Sequence, residues 1–419
     1  MVTASAVVEI TTTKVAAVAI SPRLPFDLGR GKSFAKLERM KTAVVILNWN
    51  TEGFLKDFLP GLISSVGKVD GAEVVVADNA STDGSTEVMR TQFPEVKTIE
   101  FDKNHGFTGG YNKAFEALYG TAESPKDDAP EYFLLINSDI EVSEGWLQPL
   151  VDWMDSHPDC GACAPKLHSY QQKDMFEYAG AAGGYLDRFG YPFCRGRILS
   201  RLEQDKGQYD NPTDVFWATG ACLLVRSKVY AEFGGLDCRF FAHMEEIDLC
   251  WRMQLEGWKV TVIPQSVVYH VGGGTLPATS PFKTFLNFRN NLLMLDKNLA
   301  KTYALKFYKE GHSVEAAARK GLHKANRVLS LRKALDALAC LAYILTGKSK
   351  LAEAVEQAAA EYLKLRQPVS SGNIAEYLKV FGNTASVRGI YGKSMILKSI
   401  LKRDRVFEAI NEKDFYKIG

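Results

Sequence analysis

Asp139 and Glu141, one apolar residue apart and preceded by Asn137 and Ser138, have the types and spacing that suit metal and phosphate chemistry. They follow at once on residues 132–136 (YFLLI), an apolar run of strand length. A strand that leaves the core and immediately presents acid puts carboxylates at the carboxyl edge of a sheet, where open α/β sheets bind ligands. Hard oxygen ligands that retain water suit Mg²⁺ or Mn²⁺ held against a diphosphate. The alternative is an Asx turn that closes a strand and leaves Glu141 in solvent. These residues alone leave both open.

Three more polar clusters stand in the same relation to apolar runs. Residues 42–47 (TAVVIL) lead into Asn48, Trp49, Asn50, Thr51 and Glu52, and a helical pattern follows. Residues 73–77 (EVVVA) lead into Asp78, Asn79, Ala80 and Ser81, and residues 96–101 into the glycine-rich 104–110 and a helix. Strands alternating with helices imply a parallel sheet with right-handed crossovers. Four polar strand ends at one edge then make a nucleotide-sized crevice. Asp78 can accept the imide N–H of uracil or thymine, with Asn79 and Ser81 positioning base or ribose; Asx and ST turns remain the alternative. The glycine-rich run, with Gly109 and Asn112, can bring backbone N–H groups to phosphates, or it is simply a turn. Trp49 reads as a packing residue.

Composition sets the outer bounds. The chain is 46% hydrophobic and 24% charged, and its net charge of +2 gives no electrostatic case for nucleic acid. Seven scattered cysteines fit a reducing compartment, and the lone C-x-x-C at Cys160 and Cys163 predicts no metal site. No apolar run reaches membrane-spanning length, so the expectation is a cytoplasmic protein. Residues 1–39 lack a clear period and read as a weakly ordered extension, with Met40 as the natural start. Beyond residue 300 the chain turns helical and basic. There 334–345 (ALDALACLAYIL) and 394–406 read either as packing helices or as interfacial ones flanked by Lys and Arg.

Taken in order, VVILNWN (44–50), VVVADNASTDGS (74–85), NHGFTGGYNKA (104–114), LLINSDIEV (134–142), the run at 219–258 and VYHVGGGT (268–275) resemble a family 2 glycosyltransferase of GT-A type. The branch they most resemble is the bacterial rhamnosyltransferases of surface polysaccharide assembly. The resemblance implies an α/β fold: a mixed, Rossmann-like sheet over 40–300 with a helical appendage over 301–419. It implies an inverting, metal-dependent transfer, with rhamnose from dTDP-rhamnose as the expected donor. A UDP-hexose enzyme and a non-catalytic nucleotide-sugar binder are the alternatives, whereas a Rossmann dehydrogenase lacks its G-x-G-x-x-G.

Carried over residue by residue, the metal motif falls on Asn137-Ser138-Asp139. One carboxylate is missing there, which leaves Asp139, Glu141 and His270 to hold Mg²⁺ or Mn²⁺. Glu246 falls on the family's catalytic Asp, with Glu245 as its rival. Asn48, Asn50, Glu52, Asp78, Asn79, Ser81, Gly109, Asn112, Asn137 and Ser138 would line the nucleotide. Asp248 and Trp217 would face the acceptor, with core packing as the other reading of Trp217. The implied partners are a nucleotide-diphosphate sugar and a glycan or lipid-linked acceptor. For the basic C-terminal helices, the cytoplasmic face of the inner membrane is favoured over a solvated appendage or a homodimer surface.

Overall fold

The structure, a computed structural model, describes residues 40–272, 280–416 and 418. The extension expected over 1–39, and the end of the VYHVGGGT motif at 273–275, lie outside the described residues.

The first half of the chain folds as its apolar runs predict. Strands β1 (Thr42–Asn48), β2 (Ala72–Asp78), β3 (Lys97–Glu100) and β4 (Tyr132–Ile136) are parallel, joined by α1 (Glu52–Val66), α2 (Ser85–Gln92) and α3 (Gly106–Tyr119). β1 is central, with Val45 opposite both Val75 and Leu135. Its side chains alternate between two cores. Ala43 and Val45 pack with Tyr111 and Phe115 of α3, and Val44 and Ile46 with Leu55 and Leu59 of α1. Burial on both faces is why these strands read as continuous apolar runs.

Beyond β4 the sheet becomes mixed. There follow β5 (Ile140–Val142), α4 (Leu147–Ser156) and β6 (Cys160–Ser169). A group of short strands comes next: β7 (Gly184–Asp187), β8 (Pro192–Cys194), β9 (Arg197–Ile198), β10 (Arg201–Leu202) and β11 (Thr213–Asp214). The half closes with β12 (Cys222–Arg226), α5 (Ser227–Glu232), α6 (Glu245–Leu255) and β13 (Lys259–His270). The large sheet runs β11-β13-β6-β12-β4-β1-β2-β3, with β5 on β13. β12 lies antiparallel to both β4 and β6. This reversal sets the 219–221 turn against the end of β4, where the Asn137 amide donates to Ala221 O at 2.9 Å.

The C-terminal region comprises α7 (Pro281–Lys309), α8 (Val314–Leu345), α9 (Ser349–Leu365), α10 (Ser371–Phe381), β14 (Ile390–Tyr391) and α11 (Met395–Lys402). The boundary expected at residue 300 falls inside α7, which is continuous across it. α7 is fastened to α6: Trp251 Nε1 donates to Thr302 Oγ1 at 2.8 Å, and Asn298 Nδ2 to Asp248 Oδ1 at 2.8 Å. β14 joins the second sheet, β10-β9-β8-β7-β14, parallel to β7. In α8 the buried Arg332–Asp336 pair (2.8 Å) faces inward, which turns Leu338, Leu341 and Leu345 outward. α11 buries Met395 and Ser399 and exposes Leu397, Ile400 and Leu401.

Candidate active site

The ends of β1 and β2 form one cross-braced rim. Asn48 is fully buried, and its Nδ2 donates to Asp78 Oδ1 (2.7 Å) and Ser81 Oγ (3.0 Å). The Ser81 amide donates to Asp78 Oδ2 at 2.9 Å. Asn50, at φ 54°, donates its amide to Ser81 Oγ (3.0 Å) and accepts from the Thr82 amide (2.7 Å). The Glu52 amide donates to Asp83 Oδ2, and Glu52 Oε2 accepts from Gly84 N. Asn79 ties β2 to the next loop: its Nδ2 donates to Asn104 Oδ1 and Gly106 O, and its Oδ1 accepts from His105 N. Polar side chains that interlock across two strand ends fix a concave wall before any ligand arrives. Trp49, expected in the core, is 42% exposed at this rim.

Two residues of the expected nucleotide set do other work. The Gly106 amide donates to Asn104 Oδ1 and the Phe107 and Thr108 amides to Phe241 O, so the start of α3 is already capped. Gly109 sits one turn further in, against His105. Asn112 is consumed by the turn before residue 237. Its Nδ2 donates to Leu236 O (2.7 Å), while its Oδ1 accepts from Tyr230 Oη (2.7 Å) and Leu236 N (2.9 Å). It clamps α3 to that turn.

The proposed metal ligands divide into a pair that meets and one that does not. Asp139 Oδ1 lies 3.2 Å from His270 Nε2, and Asn137 Nδ2 is 3.5 Å from the same nitrogen. His270 Nδ1 lies 3.2 Å from Glu177 Oε2, so the ring sits between two carboxylates. Burial alone would lower its pKa, but Asp139 and Glu177 outweigh that and raise it to about 10. Asp139 is held below the usual carboxylate range: burial pushes it up, and the His270 contact more than reverses this. Glu141 is different. It pairs across the ladder with Tyr269, whereas His270 pairs with Ile140. Cross-strand partners share a face, so Glu141 and His270 project to opposite faces. Glu141 is engaged there by Lys173, which also lies 4.4 Å from the Tyr269 ring. Among the described residues, no three His, Cys, Asp or Glu side chains converge as a metal cage. One nitrogen and one carboxylate fit a cation that takes its other ligands from a bound diphosphate and water.

At the start of α6 the carboxylates differ sharply. Asp248 has no exposure and is held by Arg252 (2.7 Å), Lys297 (2.9 Å) and Asn298 (2.8 Å). Burial raises its pKa, but Arg252 and Lys297 prevail and lower it. It fastens α6 to α7 and does not reach an acceptor. Glu245 is 4% exposed, and burial, then the neighbouring Glu246 charge, drive its pKa well up. Glu246 is half-buried, and burial raises it to about 7. Each has one buried oxygen, Oε2, without a hydrogen-bond partner.

The loop that delivers these groups is strained, with Phe241, His243 and Met244 all at positive φ (63°, 69° and 73°). Asn290 of α7 holds it. Its Nδ2 donates to the carbonyls of Phe240, Ala242 and His243 at 2.8–2.9 Å, and Arg289 Nη2 adds bonds to Arg239 O and Phe240 O. Glu177 and Asn290 escaped sequence reasoning. The only signal for Asn290 was a polar trio, Arg289-Asn290-Asn291, inside an apolar helical stretch. Trp217 is 3% exposed, and its Nε1 donates to Tyr185 O at 3.1 Å. Core packing, not acceptor stacking, is its place.

Polar strand ends at one edge of a mixed sheet, with a carboxylate-bearing helix start beside them, suit a glycosyltransferase, and the sequence comparisons bear this out. Residues 43–234 match the sequence model of the family described as Glycosyl transferase family 2, and this segment is the chain's glycosyltransferase domain. It is similar to the N-acetylglucosaminyl-diphospho-decaprenol L-rhamnosyltransferase of Mycobacterium tuberculosis, with 27% identity over 54% of this chain and 75% of that one. The rhamnosyltransferase WbbL of Escherichia coli is 22% identical over 54% of this chain and 82% of its own. The low-salt glycan biosynthesis hexosyltransferase Agl10 of Haloferax volcanii is 24% identical over 62% and 77%.

Proposed function

We propose that this enzyme is an inverting rhamnosyltransferase that moves rhamnose from dTDP-rhamnose to a growing glycan on a lipid carrier. The observation that carries the reading is the contrast between Glu245 and Glu246. Glu245 is buried, and burial together with the neighbouring Glu246 drives its pKa well up. Glu246 is half-buried with a carboxyl near neutrality, which matches a general base at physiological pH. Glu246 takes the proton of the acceptor hydroxyl as that oxygen forms its bond to the anomeric carbon. The bond to the nucleotide diphosphate breaks on the opposite face, so configuration inverts. Asp139 and His270 would hold the divalent cation, Mg²⁺ or Mn²⁺, which when bound neutralises charge on the departing diphosphate. Asn48, Asn50, Glu52, Asn79 and Ser81 shape the nucleotide wall, and Asn137 and Ser138 stand at the end of β4 beside it. Each Asp78 oxygen retains a second lone-pair site, so one can accept the base imide N–H.

The Haloferax relative is described as a hexosyltransferase, which favours transfer of a UDP-hexose as the second reading. No described helix is long and apolar enough to cross a membrane. The outward leucines of α8 and α11, beside Lys348, Lys402, Arg403 and Arg405, support attachment to the cytoplasmic face of the inner membrane; a homodimer seam is the other use of these faces.

Calorimetric titration with dTDP-, UDP- and GDP-sugars, with and without Mn²⁺, tests the reading. Metal-dependent binding of dTDP-rhamnose that Asp139→Ala removes is the expected result. Tight binding of a UDP-hexose alone would replace the donor, and no binding across the panel would end the nucleotide-sugar assignment.

A further inference from the structure

Among the buried cations, Arg197 on β9 is the exception. Lys166 is paired with Asp205 and Asp210, Arg332 with Asp336, and Arg289 with Asn290 and two backbone carbonyls. Arg197 is 7% exposed, yet no described carboxylate lies within ion-pair distance of it. Among the described residues its Nη2 reaches only the Cys194 thiol, at 3.4 Å, and its buried Nε meets no partner. Tyr178, itself 54% exposed, lies over the guanidinium at 4.6 Å. The turn between β8 and β9 is built to this end. Gly196 has φ +88°, and a Cβ there would strike the Phe176 ring at 2.5 Å, so the chain reverses tightly and turns Arg197 inward. An arginine cannot shed its proton, and an uncompensated buried charge costs several kcal/mol. A planar fork with unused donors is completed by an oxyanion.

Its position says which substrate brings that anion. Tyr178 follows Glu177, the His270 partner, and the same segment reaches Gly180, where a Cβ would meet Thr219 at 2.6 Å. The adjacent Gly220 lies beneath Glu246, and a Cβ added there would come within 3.5 Å of the Glu246 Cβ. The Cys194 thiol is pushed up by burial, with Arg197 opposing and both Glu177 and Glu246 adding to the rise, so it lies within the field of all three. Arg197 therefore sits beside the segments that carry Glu177 and pack under Glu246, while the braced wall stands at the ends of β1 and β2.

We infer that Arg197, covered by Tyr178, is an anion subsite for the acceptor, taking a phosphate or carboxylate oxyanion carried near the accepting sugar. The inference rests on Glu246 marking the acceptor side. Two sources share the chemistry: the diphosphate of a glycosyl diphospho-lipid and the carboxylate of a uronic acid.

Full-length protein saturated with dTDP is titrated with inorganic pyrophosphate and separately with glucuronate, in wild type and Arg197→Gln. Saturable binding of one anion that weakens at least tenfold in the variant is expected, and the anion bound names the source. Unchanged binding in the variant, or no binding of either anion, overturns the inference. A kinetic arm compares diphospho-linked, uronate and neutral acceptors bearing the same sugar. The ratio of kcat/KM for the charged over the neutral acceptor should fall at least tenfold in Arg197→Gln and recover in part in Arg197→Lys. A parallel fall for all acceptors would make Arg197 a packing residue, and a matching loss of dTDP affinity would assign it to the donor. If wild type turns over no acceptor, the rhamnosyltransferase reading fails while the pyrophosphate titration still reads Arg197. Equal melting temperatures, with Tyr178→Ala as a second, surface variant, keep misfolding out of the comparison.

Discussion

The two rims of the cleft are built on opposite principles. On one rim, Asn48, Asn50, Asp78 and Ser81 bond to one another, with Asp78 using both oxygens internally, while Glu52 and Asn79 bond to the adjoining loops at Asp83–Gly84 and Asn104–Gly106. On the other rim four buried polar atoms have no partner among the described residues: Glu245 Oε2, Glu246 Oε2, His243 Nε2 and Arg197 Nε. A saturated rim holds its shape whichever ligand is present and gives up little on binding. An unsaturated one stores unmet hydrogen bonds that only a suitable substrate completes. Discrimination is strongest where a wrong ligand leaves buried polar groups unpaired. On the proposed reading, selectivity would reside mainly on the rim that carries Glu246.

The sharpest way to break this contrast is Glu246→Gln, expected to lower kcat about 10²–10⁴-fold with donor affinity retained; Glu245→Gln should change it far less, because that carboxyl is enclosed and its pKa is driven well up, which suits it poorly to accept a proton. A reversed order in single-turnover assays would falsify the assignment of the base. The pH profile follows from the same group. Below its pKa of about 7 Glu246 is protonated and cannot accept a proton, so kcat/KM should rise with pH to a plateau above neutrality. Because that pKa is raised above the ordinary value of 4.5, the group's contribution to stability declines as pH climbs from 4.5 through 7.

Asn290→Ala tests whether the acceptor rim is held from α7. Freeing the Ala242 and His243 carbonyls of a strained loop, with Phe240 O still held by Arg289, should cost about 1–3 kcal/mol, read as a lower melting temperature, and should slow kcat more than it weakens donor binding. Loss of donor affinity instead would mean that the two rims are mechanically one. Asp78→Asn places an amide where two donors now converge. A similar cost of about 1–3 kcal/mol is expected there, with donor Kd as the affected parameter. The smallest effect should come from Trp217→Phe, which loses one hydrogen bond to Tyr185 O, about 0.5–1.5 kcal/mol, and leaves acceptor KM in place. A large rise in acceptor KM would return Trp217 to the cleft wall.

The nucleotide half was legible because its chemistry is local in the chain. Each polar cluster directly follows its own apolar strand, so Asn48, Asp78 and Asp139 are announced by the run before them. The acceptor half depends on contacts distant in sequence. Glu177 lies in an aperiodic stretch and meets His270 only because β6 and β13 pair; Asn290 reaches Phe240 from a helix that crosses the boundary expected at residue 300. The same cause explains the misplacements. Asn112 and Asp248 have the residue types of ligand contacts, but tertiary partners, Leu236 and Tyr230 in one case and Arg252, Lys297 and Asn298 in the other, take up their bonding capacity. The face of Glu141 follows from the β5–β13 register, which no local spacing reveals.

The Asn290 clamp also sets an order of events during synthesis. Chains emerge from the ribosome amino end first, and β1 to β13 are complete before α7 exists. Until Asn290 arrives, nothing on α7 fixes the backbone that presents Glu246. If Glu246 is the base, a nascent chain could assemble the wall at the ends of β1 and β2 before it could deprotonate an acceptor, and donor capture would mature earlier in the life of each molecule than transfer.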